Sequence, residues 1–213
     1  MPTQTFFNLP EEKRTRIIQA AIEEFATNTL ENASISHIIE VAKIPRGSFY
    51  QYFTDLKDLY KYIISLAGEQ KLNYLYQWVP QLREDEFDFF KTLRDIYIAG
   101  MRFAEEHPEL AAIGNHFLKS TDAELKKEVL AQQEPVARQW LRDFLQKGIE
   151  LGQIDPEIDL NTVYYFISAL NNAFVDYYFA LQADYENFSL HKVPLLNLLD
   201  QMLYVLENGL KKK

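Results

Sequence analysis

The 213-residue sequence predicts an all-α fold, with a small N-terminal and a larger C-terminal helical domain. Three observations carry this expectation. Apolar residues recur at three- and four-residue spacing along most of the chain, and no sustained alternation marks a strand. Only seven glycines occur. Pro10, Pro45, Pro80, Pro108, Pro135, Pro156 and Pro194 mostly fall where the helical pattern starts or stops.

The elements follow in order. Asn8-Leu9-Pro10-Glu11 reads as a capping box opening a first helix, with Ile17, Ile18, Ala21, Ile22 and Phe25 on one face. Residues 28–33 are a loop. Ser34 is the N-cap expected for a second helix, and Pro45 opens a third. A fourth helix is expected over residues 55–79, ending before Pro80, and a fifth over 86–106. A short helix follows His107-Pro108, then a long one within 122–151 that Pro135 kinks or divides. Gly148, Gly152 and Asp155-Pro156 interrupt the pattern before two final helices, 159–183 and 192–210. The domain boundary is placed near residue 54, giving domains 1–54 and 55–213.

Composition narrows the function classes. Apolar residues make up 47% and charged residues 25%, which describes a soluble globular chain. The absence of cysteine excludes disulfides, thiolate metal sites and cysteine nucleophiles. No basic-then-apolar leader and no apolar run of ~20 residues is present, so a cytoplasmic protein without a membrane partner is expected. None of His37, His107, His116 or His191 follows a glutamate by three residues, so the paired Glu-x-x-His of a di-iron bundle is missing. Neither a phosphate-cradling glycine loop nor a nucleophile motif occurs. No catalytic residue, metal or cofactor is assigned, and an enzyme is the weaker alternative.

The net charge of −9 is unevenly spread. Residues 1–60 carry six basic and eight acidic side chains, whereas 61–213 carry 16 and 23. Within 43–61, Lys43, Arg46, Lys57 and Lys61 outnumber Asp55 and Asp58. Such a local positive surface permits contact with a polyanion.

The most informative segment is residues 34–53. Its first short helix buries Ile35, Ile38, Ile39 and Ala42; its second exposes Arg46, Gly47, Ser48 and Gln51 and is anchored by Phe49, Tyr50 and Phe53. This is the layout of a helix-turn-helix, which presents a short helix to the DNA major groove. Arg46 suits a guanine edge or a phosphate. Gly47 lets backbone approach the sugar-phosphate closely. Ser48 and Gln51 suit base edges or phosphates, Tyr50 and Tyr52 offer phenolic hydroxyls, and Ser34 offers a hydroxyl at a helix N-terminus.

Over residues 10–62 the chain resembles the N-terminal domain of the tetracycline-repressor (TetR) family of bacterial regulators, through the amphipathic first helix, Ser34, Ile38, Ala42, Arg46-Gly47-Ser48-Phe49-Tyr50 and Tyr52-Phe53. Beyond that, only the all-helical layout is shared. The resemblance implies a helix-turn-helix DNA-binding domain followed by an effector-binding and dimerisation domain. Three positions depart from the family pattern. Lys43 stands where glycine is usual, so it must accept a positive φ. Pro45 replaces a serine or threonine. Leu56 occupies the usual position of a phosphate-contacting lysine, with Lys57 displaced by about 100° around the helix.

In the C-terminal domain, the last helix carries a stripe of Leu195, Leu198, Leu199, Met202 and Leu206. The preceding helix has Val163, Phe166, Ile167, Leu170, Phe174, Tyr177 and Leu181 on one side, yet also Tyr165, Val175 and Phe179 on the other. A helix apolar nearly all round must be covered on both sides. These two helices either close the monomer core or, as the resemblance implies, pair with a second copy, through Phe166, Leu170, Phe174, Leu195, Leu198, Leu199, Met202 and Leu206. Twenty-two of the 30 aromatic residues follow residue 60. Tyr97, Met101, Phe117, Trp140, Phe144 and Tyr177 are the candidates for lining a small-molecule pocket. The expected protein is a homodimer on double-stranded DNA, most simply a repressor released by a small apolar or aromatic effector. Control by a protein partner, or by no effector, is the alternative.

Overall fold

The computed structural model of the protein describes residues 2–79, 87–182 and 188–210. They form α1 (Gln4–Phe7), α2 (Glu11–Thr27), α3 (Ile35–Val41), α4 (Arg46–Tyr52), α5 (Leu56–Trp78), α6 (Phe89–Glu106), α7 (Pro108–Lys119), α8 (Ala123–Glu150), α9 (Leu160–Gln182) and α10 (Phe188–Leu210), with no strand among the described residues. The all-α expectation holds. No helix among these residues is long and apolar enough to cross a membrane.

The helix starts follow local chemistry, with two corrections. α2 begins at Glu11 behind Pro10, whose side chain makes no capping bond. Asn8 instead ends the unforeseen helix α1, and its Oδ1 accepts from Gln4 Nε2 at 3.0 Å. The capping box expected at Asn8 is therefore absent. α10 starts at Phe188, four residues before the expected 192, and carries Pro194 inside it. α8 is continuous through residue 135, where the sequence predicts a kink or division. Ahead of α5, Asp55 Oδ1 accepts from the Asp58 N–H at 2.7 Å, and Asp58 Oδ2 accepts from the Thr54 N–H at 3.1 Å. Asp55 is thus the N-cap of α5, and Asp58 ties the preceding residue to the first turn.

The chain divides by packing into two compact units, Met1–Leu75 with Gly100–Gln133, and Tyr76–Ala99 with Glu134–Lys213. That division differs from the boundary by role placed near residue 54. In the first unit, Ile17, Ala21 and Phe25 of α2 meet Ile38, Phe49, Phe53, Leu59, Tyr60 and Ile63, all nearly inaccessible. Phe25 and Tyr60 meet edge to face at 4.9 Å. α7 packs along α2, and His116 Nδ1–H donates to the Phe25 carbonyl at 3.1 Å.

In the second unit, Phe89, Phe144, Ile154, Val163, Ile167, Phe174, Leu195 and Leu199 are buried. Gly148 makes the turn after α8 possible. A β-carbon there would lie 2.8 Å from Ile154 Cδ1 and 3.1 Å from the Phe89 ring. Gly152 follows at φ +70°, in the left-handed region that favours glycine. The turn delivers Gln153 to the start of α6, where its Oε1 accepts from the Phe89 N–H at 2.7 Å and its Nε2 donates to the Phe87 carbonyl at 2.8 Å. Arg94 and Asp200 tie α6 to α10 by two bonds of 2.6 and 3.3 Å.

Candidate nucleic-acid interface

The turn between α3 and α4 is a Schellman motif. The Lys43 N–H bonds to the Glu40 carbonyl at 3.1 Å, and the Ile44 N–H to the Ile39 carbonyl at 3.0 Å. Lys43 sits at φ 53°, the only non-glycine residue with positive φ among those described. The departure seen in the sequence is thus a real backbone demand, met without glycine. Ile44 is buried beneath the turn, and Pro45 stands at the N-cap of α4.

α4 sorts its residues cleanly between two faces. Phe49, Tyr52 and Phe53 point into the core. Arg46, Gly47, Tyr50 and Gln51, spaced to share one side of a helix, are exposed, with Ser48 half-buried. Tyr50 is 49% accessible, whereas Tyr52 is 3% accessible. Burial of Tyr52 removes it from the surface set, because its ring lies against Phe6 at 6.3 Å and beneath Lys13 Nζ at 5.6 Å. No atom lies within 4 Å of where a Gly47 β-carbon would stand, so that edge of the helix opens outward.

α3 supports α4 from behind. Arg46 Nη1 donates to Ser36 Oγ at 3.2 Å, which steadies the guanidinium while leaving most of its donors free. Ser34 caps α3, its Oγ accepting from the His37 N–H at 3.4 Å, and stays exposed. The start of α3 is held by a residue the sequence reading did not single out. Glu24 of α2 is 3% accessible; its Oε1 accepts from the Ser34 N–H at 2.7 Å and its Oε2 from His37 Nδ1–H at 2.5 Å. A glutamate on the inner face of an amphipathic helix was the available signal.

Lys57 is half-buried and already paired. Its Nζ lies 3.5 Å from Glu128 Oε1 and 3.9 Å from Asp122 Oδ2, while Lys61 Nζ lies 2.9 Å from Glu128 Oε2. The bond to Glu128 raises the Lys61 ammonium pKa, and the same bond lowers that of the Glu128 carboxyl. Lys57 therefore faces the start of α8.

The remaining candidates distribute as follows. Phe174, Leu195, Leu199 and Leu206 belong to the core of the second unit. Leu170, Leu198 and Met202 are half-buried and Phe166 is exposed. Phe166, Leu170, Gln201, Met202 and Val205 line an open apolar groove of about 230 Å³ on α9 and α10. Tyr165, Val193, Tyr204 and Val205 are each more than 60% accessible. The six candidates for a small-molecule pocket divide between the two units. Met101 and Phe117 are buried in the first unit. In the second, Trp140 stacks on Phe144 at 5.3 Å, Tyr97 meets Phe174 at 5.1 Å, and Tyr177 is exposed. Tyr97, with Leu93, Ile167, Leu199 and Leu203, borders an apolar crevice of about 10 Å³, room for one water molecule. Among the described residues no group of three or more His, Asp or Glu side chains could hold a metal ion.

Comparison with known proteins agrees with this architecture. Residues 17–63 match the model of bacterial regulatory proteins of the tetR family, and residues 87–211 match that of the tetracyclin repressor-like C-terminal domain. The uncharacterized HTH-type transcriptional regulator YvdT of Bacillus subtilis is 27% identical over 204 residues, covering 95% of this chain and 98% of its own. The crystal structure of a TetR family transcriptional regulator from Chloroflexus aurantiacus is 31% identical, covers 100% of both chains and has a TM-score of 0.68. FadR from Bacillus subtilis, solved in complex with stearoyl-CoA, is 20% identical with a TM-score of 0.70, covering 92% of this chain and 98% of that one. With one model matching the helix-turn-helix and the other more than half the chain, the protein belongs to the TetR family of bacterial transcriptional regulators.

Proposed function

We propose that this DNA-binding regulator is a homodimeric repressor that leaves its operator when a small apolar or aromatic molecule enters its C-terminal helices. The DNA-contacting set in this reading is Arg46, Gly47, Ser48, Tyr50 and Gln51 of α4, with Ser34 at the start of α3. Lys57 joins it only by giving up Glu128. The observation that carries the dimer is the apolar groove lined by Phe166, Leu170, Met202 and Val205, together with the exposed Tyr165, Val193 and Tyr204 on the same two helices. An apolar face of this extent marks an interaction surface, and a second copy would bring two recognition helices to half-sites ~34 Å apart. For the effector, support comes from the aromatic lining around Tyr97 and Phe144 and from the acyl-CoA held by FadR. The crevice at Tyr97 is too small to receive such a molecule without the helices parting.

Light scattering on wild type and the Phe166→Glu/Val205→Glu variant tests the dimer. A dimer that becomes monomeric in the variant supports it, and a wild-type monomer sinks it. Thermal-shift screening with acyl-CoAs, free fatty acids and aromatic acids tests the effector. A ligand present at 100 times its Kd would stabilise the protein by about 2.7 kcal/mol. It should also lower operator affinity in a gel shift. A ligand that stabilises the protein without changing DNA affinity would refute the release mechanism.

A further inference from the structure

The recognition helix α4 has seven residues, and its last carbonyls have no partner within the helix except where Phe53 N–H reaches Phe49 O at 2.9 Å. Those of Gln51 and Tyr52 are met by a single residue 48 or more positions earlier in the chain. Thr3 Oγ1 donates to the Gln51 carbonyl at 2.7 Å, and the Thr3 N–H donates to the Tyr52 carbonyl at 2.9 Å. Thr3 is in turn fixed as the first residue of a small folded element. Its carbonyl accepts from the Phe6 N–H at 3.0 Å, opening α1.

Phe6 is fully buried, with ring centroids 4.9 Å from Phe53, 5.5 Å from Tyr62 and 6.3 Å from Tyr52. Arg14 Nη1 closes the element by donating to the Phe7 carbonyl at 3.1 Å. α1 packs directly on α4, and it lies outside residues 17–63, which match the family model.

We infer that Thr3, seated by Phe6, is a positioning residue for DNA reading: it caps the recognition helix from outside and so fixes the last turn, which carries Tyr50 and Gln51. The carbonyl that Thr3 Oγ1 holds belongs to Gln51 itself, so the orientation of that side chain depends on the bond. Base contacts need a fixed orientation, whereas phosphate attraction tolerates a loosened one. Losing the bond must therefore lower selectivity more than it lowers general DNA affinity.

The test uses the full-length protein and a duplex that it selects from a random-sequence pool, compared with a scrambled duplex at ~150 mM salt. Thr3→Val removes the hydroxyl donor at nearly constant shape, and Thr3→Ser retains it. One net hydrogen bond corresponds to a loss of about three- to tenfold for each recognition helix. Thr3→Val should lose that factor on the selected duplex and nothing on the scrambled one, and Thr3→Ser should recover it. Equal losses on both duplexes would mean that Thr3 contacts phosphate directly, which overturns the inference, as would wild-type selectivity in Thr3→Val.

A second readout needs no DNA. Hydrogen exchange at the α4 amides should quicken by a similar factor in free Thr3→Val while the α2 amides stay unchanged. Unaltered exchange in α4 overturns the inference independently of any operator.

Discussion

Replacing Glu24 by alanine probes how the helix-turn-helix is fastened to its scaffold. Glu24 is 3% accessible and makes two bonds across to the start of α3, one from the Ser34 N–H and one from His37 Nδ1–H. Truncation strands the Ser34 donor, which costs about 1 kcal/mol at the low end of the range because Ser34 is itself exposed. The His37 ring is half-exposed and rehydrates, adding little. One buried methylene, Cγ, vanishes, at roughly 0.8 kcal/mol before any cavity term. The sum is about 2 kcal/mol, or a fall in melting temperature of roughly 4–8 °C for a chain of this size. Glu24→Gln keeps an acceptor for Ser34 and most of the packing, so its loss should stay near 1 kcal/mol. Differential scanning calorimetry of these variants, of His37→Ala and of the double variant Glu24→Ala/His37→Ala completes a cycle. Glu24→Ala melting within about 2 °C of wild type, or Glu24→Gln falling as far, would refute the clamp.

Three further perturbations address other elements. Lys43→Gly relieves a left-handed φ that costs a side-chain residue about 1–2 kcal/mol, offset by roughly 0.5–1 kcal/mol of added unfolded-state entropy. The net expectation is a gain of a few tenths to about 1 kcal/mol in chemical denaturation, and a loss would show that Lys43 makes compensating contacts. Glu128→Gln frees Lys57 for phosphate, so the slope of log K against log salt should steepen by about 0.9 for each subunit; an unchanged slope would show that Lys57 stays off the DNA. Burial pushes the Tyr97 phenol up to about 12, so the folded state holds this proton more tightly than the unfolded chain. The associated stability is complete below pH 10 and is lost between about 10 and 12. Tyr97→Phe should therefore resist alkaline unfolding better than wild type over that window, as followed by circular dichroism, and an identical alkaline transition would refute it.

Much of the DNA-binding module was legible because its signals are local. Ser34 caps through its own oxygen three residues ahead, Pro45 presets the entry to α4, and the non-glycine at Lys43 announced a strained turn. Tyr52 was misplaced for a non-local reason. Its burial depends on Phe6, and two adjacent aromatics before a polar Asn8 do not reveal that they fold back on a helix 45 residues later. The capping-box reading failed because the same residues also suit the end of a short preceding helix. On α10, periodicity identified a stripe but not what covers it. Leu199 and Leu206 border a crevice shared with α9 and α6, while Val205 and Tyr204, off the stripe, face outward. For the aromatic candidates for a pocket, composition carries no information on which are core and which are lining.

The shortness of α4 limits how this protein could be retargeted. A seven-residue helix is far below the ~12–15 residues at which an isolated segment holds its shape in water, so Arg46–Tyr52 lifted out as a peptide would be a coil. Its geometry is borrowed from Phe49, Tyr52 and Phe53 seated in their sockets and from a cap belonging to the first residues of the chain. In the proposed reading, a graft from a relative therefore transfers a sequence preference only when it changes Arg46, Gly47, Ser48, Tyr50 and Gln51 and leaves the seated residues alone. The protein separates an alphabet of five replaceable letters from the type-case that holds them, and only the letters can be exchanged freely.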